Sequence, residues 1–256
     1  MKGILETKVL AIGYKRKEIS RGLNLTLREG EVTSLIGRNG AGKTTLIKTL
    51  TGNLKPLGGE VLINGKGLDG YNRKELAKIM AVVNTDPHIA GGLRLKELAG
   101  LGRIPYTCRL GLQSKRDQEI VTKALEETGV IHKKDSFISE LSDGERQKGM
   151  IARGLAQETP IIIMDEPFSF LDVASRLEMM ALLKRLAKEK NKSILLSTHE
   201  ITEALRMSDN VWLILEEGVI DGTPENLIAR GAIDKIFPNT QVRFDKERRE
   251  FRLLEE

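Results

Sequence analysis

The run Val32-Thr33-Ser34-Leu35-Ile36-Gly37-Arg38-Asn39-Gly40-Ala41-Gly42-Lys43-Thr44-Thr45 joins a strand-sized apolar stretch to a segment that fits G-x-x-x-x-G-K-[ST]. Glycines at this spacing let backbone N–H groups turn inward around a phosphate chain, and the helix that follows adds its positive end. Lys43 is placed to neutralise terminal phosphate oxygens, and the Thr44 hydroxyl suits a Mg²⁺ shell. A plain glycine-rich turn would need neither the strand before nor the helix after. The candidate nucleotide-binding residues are therefore Gly37, Asn39, Gly40, Ala41, Gly42, Lys43, Thr44 and Thr45.

Three further segments fall into place around that loop. Ile161-Ile162-Ile163-Met164-Asp165-Glu166-Pro167 reads as a strand buried on both faces with two carboxylates at its C-terminal end, where open parallel sheets bind ligands. Asp165 is a metal candidate and Glu166 a base for an attacking water, against the alternative of an acidic strand end that caps the next helix. Leu141-Ser142-Asp143-Gly144-Glu145 is an ordinary capping box opening a helix through Ala156, and a capped helix start is also an anion site. His199 follows the strand Ser193 to Thr198, at the same sheet edge as Asp165 and Glu166. His88 and His132 lack such a setting and read as surface residues.

The 256 residues are 40% apolar and 30% charged, which excludes a disordered or fibrous chain. Lysine and arginine number 41 against 36 acidic residues, an excess of five spread along the chain that requires no nucleic-acid partner. One cysteine excludes an intrachain disulfide and suits a reducing compartment. No run approaches the roughly 20 apolar residues of a spanning helix, and the charged start is unlike a signal peptide.

Along the chain, strands at Val9 to Ile12, Gly22 to Leu27, Val32 to Ile36 and Glu60 to Ile63 predict a curled sheet feeding a helix. From Leu93 to Ala156 the period is helical, with a strongly periodic stretch at Lys115 to Thr128. Strands Pro160 to Met164, Ser193 to Ser197 and Val211 to Leu215 then alternate with helices near Ala174 to Lys190 and Glu200 to Met207, the pattern of a parallel sheet covered by helices. A hairpin is expected to pair Gln241 to Phe244 with Glu250 to Leu254.

In that order, phosphate loop, Leu-Ser-x-Gly-[Gln/Glu] helix start, apolar-Asp-Glu-Pro, Ser169-Phe170-Leu171-Asp172 and a strand ending in histidine, the chain resembles the ATP-binding cassette (ABC) ATPases over about residues 5 to 230. The resemblance implies an α/β P-loop fold with a mostly parallel sheet, an antiparallel β subdomain and a helical signature subdomain. It places one ATPase domain at 1–230, with a core at 1–87 and 157–230, the helical subdomain at 88–156 and an extension at 231–256. It implies ATP and Mg²⁺, Glu166 and His199 as catalytic residues, and a head-to-tail homodimer. Ser142, Gly144 and Glu145 would then reach the partner's ATP, and Asp172 would lie in the D-loop across the interface. Tyr14 matches the aromatic that stacks on adenine, although a half-buried strand tyrosine explains it nearly as well.

The lone short cassette, together with Leu101-Gly102-Arg103-Ile104-Pro105-Tyr106, is similar to importer subunits for iron-siderophore, haem or cobalamin. That similarity implies separate membrane permease subunits, a substrate-binding protein, and a place on the cytoplasmic face of the cell membrane. The plainer reading is that Pro105 ends a helix and Arg103 supplies a C-terminal charge. Two other functions share the motifs: a soluble cassette such as that of iron-sulfur cluster assembly, and a nucleotide-gated module with little turnover. Two positions depart from the family. Thr85, in Val82-Val83-Asn84-Thr85-Asp86, stands where a metal-reaching glutamine is usual: either Thr85 or Asp86 approaches Mg²⁺ through a water, or the metal shell loses that contact and coupling runs through backbone motion. Asp143 replaces a glycine of the signature and would repel phosphate unless it points away.

Overall fold

The computed structural model describes residues 3–15, 17–84, 92–107, 112–238 and 240–253. Its contacts divide the chain into two compact units, Met1–Gly70 with Ser193–Glu256, and Tyr71–Lys192.

The first unit opens with the strands β1 (Gly3–Tyr14), β2 (Lys17–Leu23), β3 (Thr26–Arg28) and β4 (Val32–Ile36), the helix α1 (Lys43–Leu50), and the strands β5 (Gly58–Ile63) and β6 (Lys66–Gly67). Twelve residues long, β1 pairs antiparallel with β2, β3 and β5. It does so by bulging at Val9, whose φ is 46° and whose N–H donates to Asn24 Oδ1 at 2.9 Å. Gly59 faces the bulge with φ 70°, where a Cβ would fall 2.3 Å from the Val9 carbonyl oxygen, so only glycine fits. The stretch expected as one strand from Gly22 to Leu27 is instead the junction of β2 and β3. Asn24 breaks it by donating to the Gly22 carbonyl at 3.1 Å while accepting from Val9.

The second unit holds α2 (Arg73–Ile79), β7 (Met80–Asn84), α3 (Leu95–Gly100), α4 (Lys115–Glu127), α5 (Asp143–Ala156), β8 (Ile161–Asp165) and α6 (Val173–Lys190). Strands β7 and β8 are parallel, in a register that sets Asn84 beside Asp165. Helix α5 packs closely because three glycines remove side chains at its contacts. A Cβ at Gly149 would lie 2.4 Å from Leu95 Cδ1, at Gly154 2.6 Å from Val83 Cγ2, and at Gly102 2.2 Å from the Arg153 carbonyl. Its C-terminal end also grips β7, since Arg153 donates to the Val82 carbonyl and the Gln157 amide to the Met80 carbonyl.

Returning to the first unit, the chain forms β9 (Ser193–Ser197), α7 (Ile201–Met207), β10 (Asn210–Leu215), β11 (Gly218–Gly222), α8 (Pro224–Ala229), β12 (Val242–Asp245) and β13 (Glu250–Leu253). Here β10, β4 and β9 are parallel neighbours, with β11 antiparallel on the outer side of β10. Every residue of β4 and β9 is buried, as strands covered on both faces require. The last two strands pair antiparallel, Phe244 opposite Phe251. Among the described residues no helix is long and apolar enough to cross a membrane.

Candidate functional site

In the first unit, β4 delivers the chain into the loop at residues 37–42, and α1 begins at Lys43. Gly40 and Gly42 have φ of 81° and 106°, left-handed backbone that side chains rarely adopt. A Cβ at Gly42 would sit 2.6 Å from Ile19 Cγ2, so the β1–β2 hairpin lies directly beside the loop. Lys43 is buried, and its ammonium donates to the Gly37 carbonyl at 2.9 Å and the Arg38 carbonyl at 3.4 Å. No side chain caps α1, and its first turn carries no acidic residue. Its positive end is left for an anion. Thr44 is exposed there and Thr45 buried, while Asn39 and Gly40 are exposed and Ala41 is half-buried.

His199 belongs to the same unit. Strand β9 runs beside β4 with Ser197 opposite Leu35, and the Thr198 N–H donates to the Leu35 carbonyl at 3.1 Å. The phosphate loop and His199 thus leave adjacent parallel strands at the same edge. The imidazole is half exposed, with Nε2 3.7 Å from Glu200 Oε1. Tyr14 is exposed at the end of β1, opposite Lys17 in the hairpin that reaches Gly42 through Ile19.

The second unit carries the other motifs. Asp165 ends β8, and Glu166 follows with φ 48°, a conformation costly for a residue with a side chain and typical of functional sites. Ser169 holds it there, its hydroxyl within 3.1 Å of the Glu166 carbonyl and 3.3 Å of its carboxylate. Ser142 caps α5, accepting from the Glu145 N–H at 3.2 Å, while the Glu145 carboxylate accepts from the Ser142 N–H at 2.9 Å. That backbone N–H, first among several donors, lowers the Glu145 pKa. Asp143 turns to Arg146, which also donates to the Leu141 carbonyl at 3.0 Å, so the unusual carboxylate carries its own counter-charge. Asp172 caps α6, and the Ser175 N–H, donating at 2.7 Å, lowers its pKa. Gly144, Glu145, Phe170, Asp172 and His132 line one groove of about 500 Å³. Thr85 and Asp86 lie outside the described residues.

The arrangement has counterparts among known proteins. The family model described as ABC transporter matches residues 20–169, more than half of the chain. The chain belongs to the ABC transporter family. An uncharacterized ABC transporter ATP-binding protein of Methanocaldococcus jannaschii is 41% identical over 235 residues, 91% of this chain and 81% of that protein. The iron(3+)-hydroxamate import ATP-binding protein of Bacillus subtilis is 36% identical over the same length, 91% and 87% of the two chains. Among solved structures, cbiO1 of Clostridium perfringens, part of the ABC transporter complex cbiONQ, superposes with a TM-score of 0.78 at 31% identity, covering 91% of this chain and 93% of that one. The chain is accordingly an ABC-type ATPase with the α/β cassette fold, and it binds ATP.

Within this cassette the structure adds contacts that the sequence alone does not give. Gln147, buried in α5, donates to the Pro167 carbonyl at 2.9 Å, tying α5 to the segment after Glu166. Arg103 is buried, not a helix-terminal charge at the surface. It meets Asp117 at 2.8 Å, Glu158 at 2.9 Å and the Ala156 carbonyl at 2.7 Å, with the Tyr106 ring 4.3 Å away. Only the long-range fold brings α4 and the end of α5 to it; no local spacing announces the cluster.

Proposed function

We propose that this cassette is the ATP-hydrolysing subunit of an importer, working as a homodimer around two MgATP and driving separate membrane permease subunits. Its cargo is an iron-siderophore, haem or cobalamin, delivered to the permease by a substrate-binding protein. The ATPase part is carried by the uncapped, non-acidic start of α1 beneath the glycine loop, with His199 on the adjoining strand end. The import part is supported by the Bacillus subtilis relative and by the segment Gly102 to Tyr106. There Arg103 points inward and leaves Leu101 and Ile104 exposed, an apolar surface suited to a permease.

The roles are those that the family resemblance implies, together with the chemistry of each side chain. The loop N–H groups of residues 37–45 cradle the phosphates, Lys43 leaves its loop carbonyls to neutralise β- and γ-oxygens, and Tyr14 stacks on adenine. Thr44, exposed at the start of α1, and Asp165, at the end of β8, carry the hard oxygen donors that Mg²⁺ takes. Thr44 and Asp165, with Thr85 through a water, would hold Mg²⁺, which screens phosphate charge when bound. Glu166 takes a proton from water as its oxygen bonds to the γ-phosphorus, and the bond to the bridging oxygen breaks to leave ADP and phosphate. His199 contacts the γ-phosphate. Ser142, Gly144 and Glu145 meet the partner's ATP, and Asp172 lines the interface. Core 1–87 with 157–230 binds nucleotide, and the helical stretch 88–156 transmits its state.

Purification of the tagged chain from gently solubilised native membranes tests the assembly. Copurification of a protein with several spans of about 20 apolar residues is the expected result. Recovery with soluble chains only would overturn the importer reading.

A further inference from the structure

Helix α7 begins two residues after His199 and has only seven residues, with no side-chain cap at Glu200. A helix this short does not hold itself in place, so its position depends on what it packs against. Its buried residues Ile201, Ala204 and Leu205 share one apolar cluster with Ile36, the residue before the phosphate loop, and with Phe244 of β12. Phe237 and Phe251 pack on that cluster. Phe251 meets Phe237 edge-on at 5.1 Å and Phe244 at 5.2 Å between ring centroids. Asp234 fixes the strand by accepting from the Phe244 N–H at 3.0 Å, and Arg206 of α7 reaches the Arg248 carbonyl in the hairpin turn at 3.4 Å.

We infer that the aromatic trio Phe237, Phe244 and Phe251 consists of positioning residues for His199: the C-terminal hairpin braces α7 and so sets where the imidazole stands at the strand edge. This rests on the reading of His199 as a γ-phosphate contact. Phe244 is buried, and its loss risks the fold, whereas Phe251 is half-buried and can be changed alone.

Steady-state ATP hydrolysis is measured on the full chain as wild type, Phe251→Ala, Phe251→Leu, His199→Ala and the His199→Ala/Phe251→Ala double variant. Amide exchange over residues 201–207 is followed in each. Phe251→Ala is expected to lower kcat about tenfold, short of the ~100-fold that a full ångström of misplacement can cost, with KM for ATP unchanged. Phe251→Leu should recover most of that loss, and in the His199→Ala background Phe251→Ala should add little. Exchange over residues 201–207 should quicken in Phe251→Ala. An equal loss of kcat in both backgrounds, or unaltered exchange, overturns the brace. An unchanged kcat in His199→Ala overturns the reading of His199 instead, a result distinct from failure of the brace, which the exchange measurement decides separately.

Discussion

Helices α1 and α5 begin in opposite ways. The first starts on a left-handed glycine, has no capping side chain and has no acidic residue in its first turn. The second starts on Ser142 with a complete capping box and carries both Asp143 and Glu145 in its first turn. By the helix dipole alone, acidic residues at a start are favourable, so α5 shows the arrangement expected of a stable helix and α1 forgoes it. What α1 gives up in capping it keeps, in our proposal, as positive potential for a phosphate chain. The start of α5 has largely satisfied itself, so in our proposal it offers the Ser142 hydroxyl and the Gly144 backbone, with Arg146 screening Asp143.

The largest effect should come from the carboxylate that neither helix start supplies. Glu166→Gln is expected to lower hydrolysis by about 10²–10⁴-fold, the range of a lost general base, while ATP binding is kept. If the two helix starts are halves of one shared site, the variant accumulates as an ATP-bound dimer on size exclusion. A monomer with undiminished turnover would break the comparison. Next in size, Lys43→Ala removes a charge-assisted contact worth about 1.5–3 kcal/mol, so affinity for a fluorescent ATP analogue should fall roughly 10- to 100-fold. Unchanged affinity would mean that α1 is bare for some other reason.

A smaller change tests the α5 side. Arg146→Ala strips Asp143 of its partner and leaves a negative charge where the proposal brings a phosphate. One extra unit of repulsion at about 4 Å in water is worth ~1 kcal/mol, so ATP-induced dimerisation should weaken about fivefold. Adding Asp143→Asn should restore it. Weakening that persists in the double variant would assign the loss to the Leu141 contact of Arg146 and not to charge.

These tests address residues whose legibility in the sequence was uneven. The phosphate loop and the helix after it could be read because both are local: a continuous apolar strand, glycines at fixed offsets, then helix formers; the cassette fold followed from the order of the motifs along the chain. The capping box at Ser142 was legible for the same reason, yet its letters could not tell where the Asp143 carboxylate would turn, since that depends on the Arg146 rotamer. The stretch Gly22 to Leu27 is not one strand because Asn24 outweighs the apolar pattern by bonding both Gly22 and Val9. The grip of Gln147, Arg153 and Arg103 was illegible, because each bonds a residue at least 14 positions away that only the folded chain brings near. The bulge at Val9 depends likewise on Gly59 from a distant strand.

A third helix start sharpens the comparison with the smallest effect. At α4, Ser114 caps and Asp117 closes the box, its carboxylate also facing buried Arg103. The Ser114 hydroxyl first, then Arg103 and the Ser114 N–H, hold the Asp117 pKa down to about 2 from 3.8. Because the folded form keeps the carboxylate ionised at pH values where the unfolded chain protonates it, the contribution of Asp117 to stability is full above about pH 4. It is lost as pH falls through the window from 3.8 towards 2. Glu145 and Asp172 have lowered pKa values and add slopes of the same sign, so urea midpoints of the wild type and Asp117→Asn must be compared across that window. The variant should be less stable at pH 6, and the gap should narrow as pH falls to 2. A gap that stays constant would show that Asp117 acts through shape and hydrogen bonding alone, making the α4 start a neutral cap and leaving α1 and α5 as the two in which charge decides what binds.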